Sequence, residues 1–262
     1  MTARKLTLAL SILALAAGGN AFAAEFNFLK PGQVELTKLV PPPPPLGSEA
    51  EKQDMASVLE VQKNRTPEQS KRALEDNRLT IYVYDDVLGP NFKAANLPVM
   101  DAFFKTLHAD ARILLMQTKD IWARKRPHLV NSEVKALDNT TRLPYGYPSG
   151  GVMNSTLTAI VLAEMVPEKR YELSERNLEY GHNRVVVGVH YPRDVLGGHV
   201  AGVAAAQAMF DAPAFMKEFG PARDELRRVL GLPAAPAGKK SIDDAIASGT
   251  LGATPTSSNP PK

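Results

Sequence analysis

The stretch VMDAFFKTLHADARILLMQTKDIWA, residues 99–123, decides the fold class. Phe104, Leu107, Ala111, Leu114, Leu115, Thr118 and Trp122 recur at spacings of three and four. That period marks one buried face of a long helix. Downstream, Ser149 suits the cap of a helix over residues 150–165 that Pro167 ends. Residues 168–180 suit another helix. Pro192 stands at a first-turn position of one reaching residue 210, and residues 214–230 form the last. Upstream, Ser48 with Glu51 fits a capping box for a helix to about Lys63, and Thr66-Pro67-Glu68-Gln69 opens a second. Residues 91–98 read as a loop. Thr80 to Val87 alternates enough to suggest a strand, yet no partner strand is visible. The expectation is all-α, a helical bundle, over residues 48–230.

The flanks differ from this domain. Arg4 and Lys5, the apolar run Leu6 to Ala17, and Ala21-Phe22-Ala23 read as a cleaved secretory leader over residues 1–23. The run is too short to span a bilayer, and no later stretch reaches the ~20 apolar residues of a spanning helix. The mature chain is therefore expected to be exported, periplasmic or secreted, with no membrane association. Residues 24–47 read as an extended arm whose Pro41 to Pro45 favour polyproline geometry, either a linker or a strap over the domain. Residues 231–262, rich in Pro, Ala, Gly, Ser and Thr, read as a disordered tail.

Composition narrows the chemistry. The 262 residues are 44% hydrophobic, enough for a sizeable core. A net charge of +3, from 31 basic and 28 acidic residues, is too mild to imply nucleic acid as partner. With no cysteine, disulfides and thiol chemistry are excluded.

Three short segments concentrate reactive residues. Lys119 precedes Arg126-Pro127 by seven positions, which on a continuous helix puts both cations on one face. Pro148-Ser149-Gly150-Gly151 places a hydroxyl and free backbone N–H groups at a helix start, where anions are favoured. Arg184 is followed by His190 and then Asp194, the last two four apart, so that a helical turn lets the carboxylate reach the imidazole. Taken singly, these are a solvated helix face, a turn and a structural hydrogen bond. Together they suit an oxyanion. Lys119, Arg126 and Arg184 match the charge of a phosphate, and Ser149 and the Gly150 N–H add neutral donors. His190, oriented by Asp194, can attack phosphorus to give a phosphohistidine. The cations do the neutralising, so no metal or other cofactor is expected.

The order and spacing Lys119-x6-Arg126-Pro127, Pro148-Ser149-Gly150 and Arg184-x5-His190-x3-Asp194 resemble the signature of the type-2 phosphatidic acid phosphatase and vanadium haloperoxidase superfamily. The Pro-rich segment after a leader, Thr66-Pro67-Glu68-Gln69 and Gly89-Pro90 are similar to the class A bacterial non-specific acid phosphatases. The resemblance covers roughly residues 25–230. It implies a helical, metal-free enzyme that hydrolyses small phosphomonoesters, often at acid pH and frequently as a homodimer. Two positions depart from the pattern. Asn183 stands where the family has Ser. Gly151 stands where it has the His that protonates the leaving group. Loss of a general acid costs about 10²–10⁴-fold in rate. Three consequences are open: a preference for good leaving groups, a substitute acid at His128 or His182, or phosphate binding without turnover. His199 is expected to be structural. A haloperoxidase or a lipid phosphatase fits the rest of the chain less well.

Overall fold

The computed structural model describes residues 25–78, 80–138 and 143–235. The leader reading and most of the tail reading fall outside these residues. Local signals set most helix starts. After the one-turn α1 (Leu36–Leu39), Ser48 accepts the N–H of Glu51 and opens α2 (Glu49–Asn64). Thr66 and Gln69 form a reciprocal capping box on α3 (Pro67–Glu75). A 3₁₀ turn at Ile81–Tyr84 leads into the short α4 (Asp85–Leu88), and another at Ala94–Asn96 precedes α5 (Pro98–Trp122). The one-turn α6 is Pro127–Val130. Then follow α7 (Gly150–Met165), a 3₁₀ turn at Pro167–Lys169, α8 (Arg170–Val186), α9 (Pro192–Phe210) and α10 (Pro213–Val229).

The fold is all-α, and two local expectations need correction. Residues 80–88 are helical turns, not a strand, because Thr80 caps Tyr82 N and Asp85 and Asp86 suit the first turn of a helix. The helix expected to stop at Tyr180 runs six residues further, to Val186. Gly181 does not end it. A Cβ there would stand 2.9 Å from His199 Nε2, so the glycine serves close packing against α9.

At the centre, α7 is apolar on nearly every face and is sandwiched by α8 and α9. Gly198 and Gly202 let α9 cross it closely. A Cβ on Gly198 would lie 2.7 Å from Ser149 O, and one on Gly202 2.7 Å from Met153 O. This crossing brings the start of α7 to the start of α9, where Ser149 N donates to Asp194 O at 2.9 Å. The core proper is built on the buried face of α5, with Phe103, Phe104, Leu107 and Leu114 against α10 and its Phe215 and Phe219. Each such side chain contributes about 1.5–3 kcal/mol by leaving water.

The N-terminal arm lies on the domain. Phe28, Leu29, Val34, Leu36 and Val40 are buried in the main core. Asp110, buried in α5, accepts from Asn27 N and Asn27 Nδ2 with Oδ1 (both 2.8 Å), and from Phe28 N and Leu29 N with Oδ2 (2.8 and 3.1 Å). A buried carboxylate among converging N–H donors is a charge-assisted clamp. Among the described residues no helix is long and apolar enough to cross a membrane.

Candidate active site

Lys119 sits in the last turn of α5 and Arg126 follows the helix, but not on one helical face as the spacing suggests. The chain leaves the helix at Ala123, whose φ is 44°. Residues 124–126 then run extended beside 144–146: Lys125 bridges Tyr145, Gly146 N donates to Arg124 O (2.7 Å), and Arg126 N to Pro144 O (3.2 Å). Side chains alternate along an extended segment. Arg124 and Arg126 therefore both turn inward and are buried, while Lys125 is exposed.

Arg126 reaches the centre. Its Nε donates to Leu143 O at 2.8 Å, and its Nη1 donates to Val189 O (3.0 Å) and to His190 Nε2 (2.9 Å). A guanidinium cannot accept, so Nε2 carries the lone pair and the ring proton belongs on Nδ1. Nδ1 in turn lies 3.3 Å from Asp194 Oδ2. Asp194 is fully buried at the start of α9, where Tyr191 N also donates to Oδ2 at 3.1 Å. His190 just precedes that helix, and the bend delivering it passes through Gly188 at φ 85°. A side chain at Gly188 would be strained in that conformation and would meet Ala136 Cα at 3.2 Å.

The other cations surround this pair. Lys119 Nζ donates to the carbonyls of Pro148 (2.6 Å), Gly146 (3.2 Å) and Tyr145 (3.3 Å). Arg184, in the last turn of α8, is buried; its Nη1 is held by Asn77 Oδ1, while Nε is buried with no partner among the described residues. Ser149 caps α7 through Val152 N at 3.5 Å, and Gly150 follows because a Cβ there would stand 2.4 Å from Leu115 Cδ2.

The electrostatics follow from burial among like charges. His190 is held well below its ordinary range by burial, then by Arg126, Arg184 and Lys119, which favours the neutral ring. Burial and Arg126 bring Lys119 down to about 7. Burial pushes Asp194 up to about 6 against the pull of Arg124. Arg126 is lowered to about 10 by burial and Arg184.

The candidate substitute acids separate. His182 is exposed in a surface depression with Glu60, Arg65 and Gln69 on the α2–α3 side, so it does not join the cluster. His128 lies near enough to His190 for their charges to oppose, and burial and Arg126 lower it against the pull of the Gly188 carbonyl. Its Nδ1 is buried without a partner among the described residues. His199 bonds Thr156 Oγ1 at 2.8 Å within the α7–α9 packing. Asn183 turns away: its Nδ2 donates to Asp76 Oδ2 at 2.8 Å, part of a buried ion pair with Arg176.

Sequence reasoning missed Arg124, which grips Asp194 Oδ1 at 2.8 Å and Asp54 Oδ2 at 2.7 Å and lies 4.0 Å over the Tyr191 ring. Asp54, also paired with Arg193 at 2.8 Å, ties α2 to the site. The only sequence signal for Arg124 is its place two before Arg126, which matters once the segment is known to be extended.

The chain is similar to several known phosphatases. The non-specific acid phosphatase of Salmonella typhimurium is 29% identical over 195 residues, 71% of this chain and 78% of that protein. The non-specific acid phosphatase of Providencia stuartii is 25% identical over 215 residues, 78% and 86% of the two chains. The first transmembrane PAP2 type phosphatidylglycerolphosphate phosphatase from Bacillus subtilis superposes with a TM-score of 0.44 at 18% identity, over 62% of this chain and 85% of that one. Residues 105–215 match the PAP2 superfamily. The residues placed around His190, from Lys119 through Asp194, fall inside that stretch, which is similar to the PAP2 superfamily.

Proposed function

We propose that this chain is an exported acid phosphatase that hydrolyses small phosphomonoesters through a phosphohistidine on His190. One observation carries the reading: Nε2 of His190 presents its lone pair to Arg126 at 2.9 Å while Nδ1 faces Asp194 at 3.3 Å. That is the tautomer a nitrogen nucleophile needs, held in a cluster of cations that suits a phosphate. The similar non-specific acid phosphatases support the substrate class. The leader pattern at residues 1–23 supports export.

In this reading a substrate phosphate takes the Arg126 Nη1–H away from Nε2. Arg126, Arg184 and Lys119 then hold the non-bridging oxygens, with Ser149 and the Gly150 N–H as further donors. Nε2 attacks phosphorus, and the ester oxygen leaves with the bonding pair. The ring keeps its Nδ1 proton, and Asp194 stabilises the cationic phosphohistidine. Water then attacks phosphorus, the N–P bond breaks, and phosphate leaves.

The test is hydrolysis of 4-nitrophenyl phosphate together with trapping of labelled phosphoenzyme by an alkaline denaturing quench, which preserves the N–P bond, from the unaltered chain and from His190→Ala. Turnover and label in the first, with neither in the second, is expected. Label persisting in His190→Ala would refute the nucleophile. Gly151 favours a second reading, a phosphate-binding protein without turnover. Phosphate binding with no hydrolysis of any ester would select it.

A further inference from the structure

Gly151 does not leave an empty corner. It is the second residue of α7, and a Cβ built on it would stand 3.1 Å from the Tyr180 hydroxyl and 3.8 Å from Arg184 Nε. Tyr180 and Arg184 are one turn apart on α8, so both point from the same helix face toward α7. Tyr180 is buried, with its hydroxyl facing the start of α7. Arg184 Nε is buried without a partner among the described residues. Buried polar groups are normally satisfied, so this unspent donor points to a guest. Tyr180 and Gly151 also border a cavity of about 30 Å³, shared with Tyr84, Ser155 and Thr158. That is room for a water-sized group, so the phenol is not walled in.

We propose that Tyr180 is the proton donor to the leaving group, in place of the imidazole that position 151 lacks. The inference rests on the phosphatase reading above. As Nε2 of His190 bonds to phosphorus, the phosphorus–oxygen ester bond breaks with its electron pair on the leaving oxygen. The phenolic O–H passes its proton to that oxygen, releasing a neutral alcohol and leaving a phenolate beside the Arg184 guanidinium. When water attacks the phosphohistidine, the phenolate takes the water proton and returns to its starting form. No other reactant is needed. Burial raises the Tyr180 hydroxyl above its ordinary value, so it stays protonated over the whole acid and neutral range.

The experiment is kcat/KM for the unaltered chain and Tyr180→Phe across phosphate esters from 4-nitrophenyl to simple alkyl. The substitution removes one oxygen. Tyr180→Phe should lose about 10²-fold or more on alkyl esters and no more than about twofold on 4-nitrophenyl phosphate, whose leaving group needs little protonation. Retained aryl turnover doubles as the control for folding. The same loss on every ester, or no loss on any, overturns the proposal. A second pair sharpens it: Tyr180→Leu should lose alkyl turnover, and Gly151→His with Tyr180→Leu should regain it by restoring an acid at 151. If the unaltered chain fails on 4-nitrophenyl phosphate, both this inference and the phosphatase reading fall. If it succeeds and Tyr180→Phe matches it on every ester, only this inference falls.

Discussion

The two sides of the His190 ring are held differently. Behind it, Asp194, Arg124, Asp54 and Arg193 form an unbroken run of ion pairs at 2.7–2.8 Å, mostly buried, joining α9, the segment after α5, and α2. On the α7–α8 side, taken as the front, stand Gly151, the Tyr180 hydroxyl and an Arg184 Nε without a partner among the described residues, with Gly151 and Tyr180 bordering a small cavity. The rear fixes one tautomer and one ring position. The front keeps the Arg184 Nε donor in reserve for a guest. The geometry of the proposed nucleophile is therefore set by several ion pairs, while the proposed leaving-group side has fewer such ties. That unevenness explains how position 151 can carry a glycine without unsettling the rest.

The contrast is broken most directly at His190. His190→Ala should lower kcat/KM by on the order of 10⁴-fold or more, because the other groups cannot replace a covalent step. Rate and phosphoenzyme should vanish together. A surviving rate of more than about 1% of the original would mean that the rear scaffold holds something other than the nucleophile.

A smaller effect separates the two sides by stability. Arg124→Met leaves Asp194 without its guanidinium and Asp54 with only Arg193, in a buried place. Removing one partner of such a network costs about 3–5 kcal/mol. In a domain of this size, thermal melting should fall by on the order of 10 °C. Arg184→Met removes one hydrogen bond, to Asn77, and should cost only about 1 kcal/mol in folding, although it strips a cation from the phosphate. Equal melting shifts would erase the distinction between a structural rear and a waiting front.

What was legible in the sequence follows the same division by range. Helix starts at Ser48, Thr66, Ser149 and Pro192 could be read because caps and first-turn prolines act within three residues. The Lys119, Arg126, Arg184, His190 and Asp194 set was nominated by its resemblance to a family signature, although the shared helical face expected of Lys119 and Arg126 is not formed. Arg124 was hidden because the helix was carried through Ala123, so alternation along an extended segment was not considered. Tyr180 was hidden because the helix was stopped at it; only when α8 runs on to Val186 do Tyr180 and Arg184 share a face. Asp54 and Asp110 were out of reach. Each meets partners about 70 or more residues away, and no local pattern announces that.

The pH profile sharpens the comparison with a milder perturbation. In the free enzyme, Asp194 loses its charge as pH falls through about 6 and then releases its hold on the Nδ1 proton. Lys119 loses its charge as pH rises through about 7 and weakens the grip on phosphate. Burial and the surrounding cations lower His190 well below its ordinary range, so neither limb is assigned to it. The profile of kcat/KM should therefore be a narrow bell between these values, since it reports the free enzyme. Lys119→Arg should push the alkaline limb upward by at least one pH unit and leave the acid limb in place, because arginine keeps its charge. An unmoved alkaline limb would take Lys119 out of the phosphate cage.

The smallest expected change is at Gly151 itself. Gly151→His alone would restore an imidazole, but its Cβ meets the Tyr180 oxygen at 3.1 Å, so the phenol must give way by a few tenths of an ångström. If Tyr180 already supplies the proton, a second acid adds little. Turnover of alkyl esters should then rise by no more than about threefold and aryl esters should hold steady, small against the 10²–10⁴-fold that a missing acid is worth. A gain of about 10²-fold on alkyl esters would mean that the front of the site truly lacked an acid. The tyrosine would then be packing, and the enzyme would depend on esters whose leaving groups depart unprotonated.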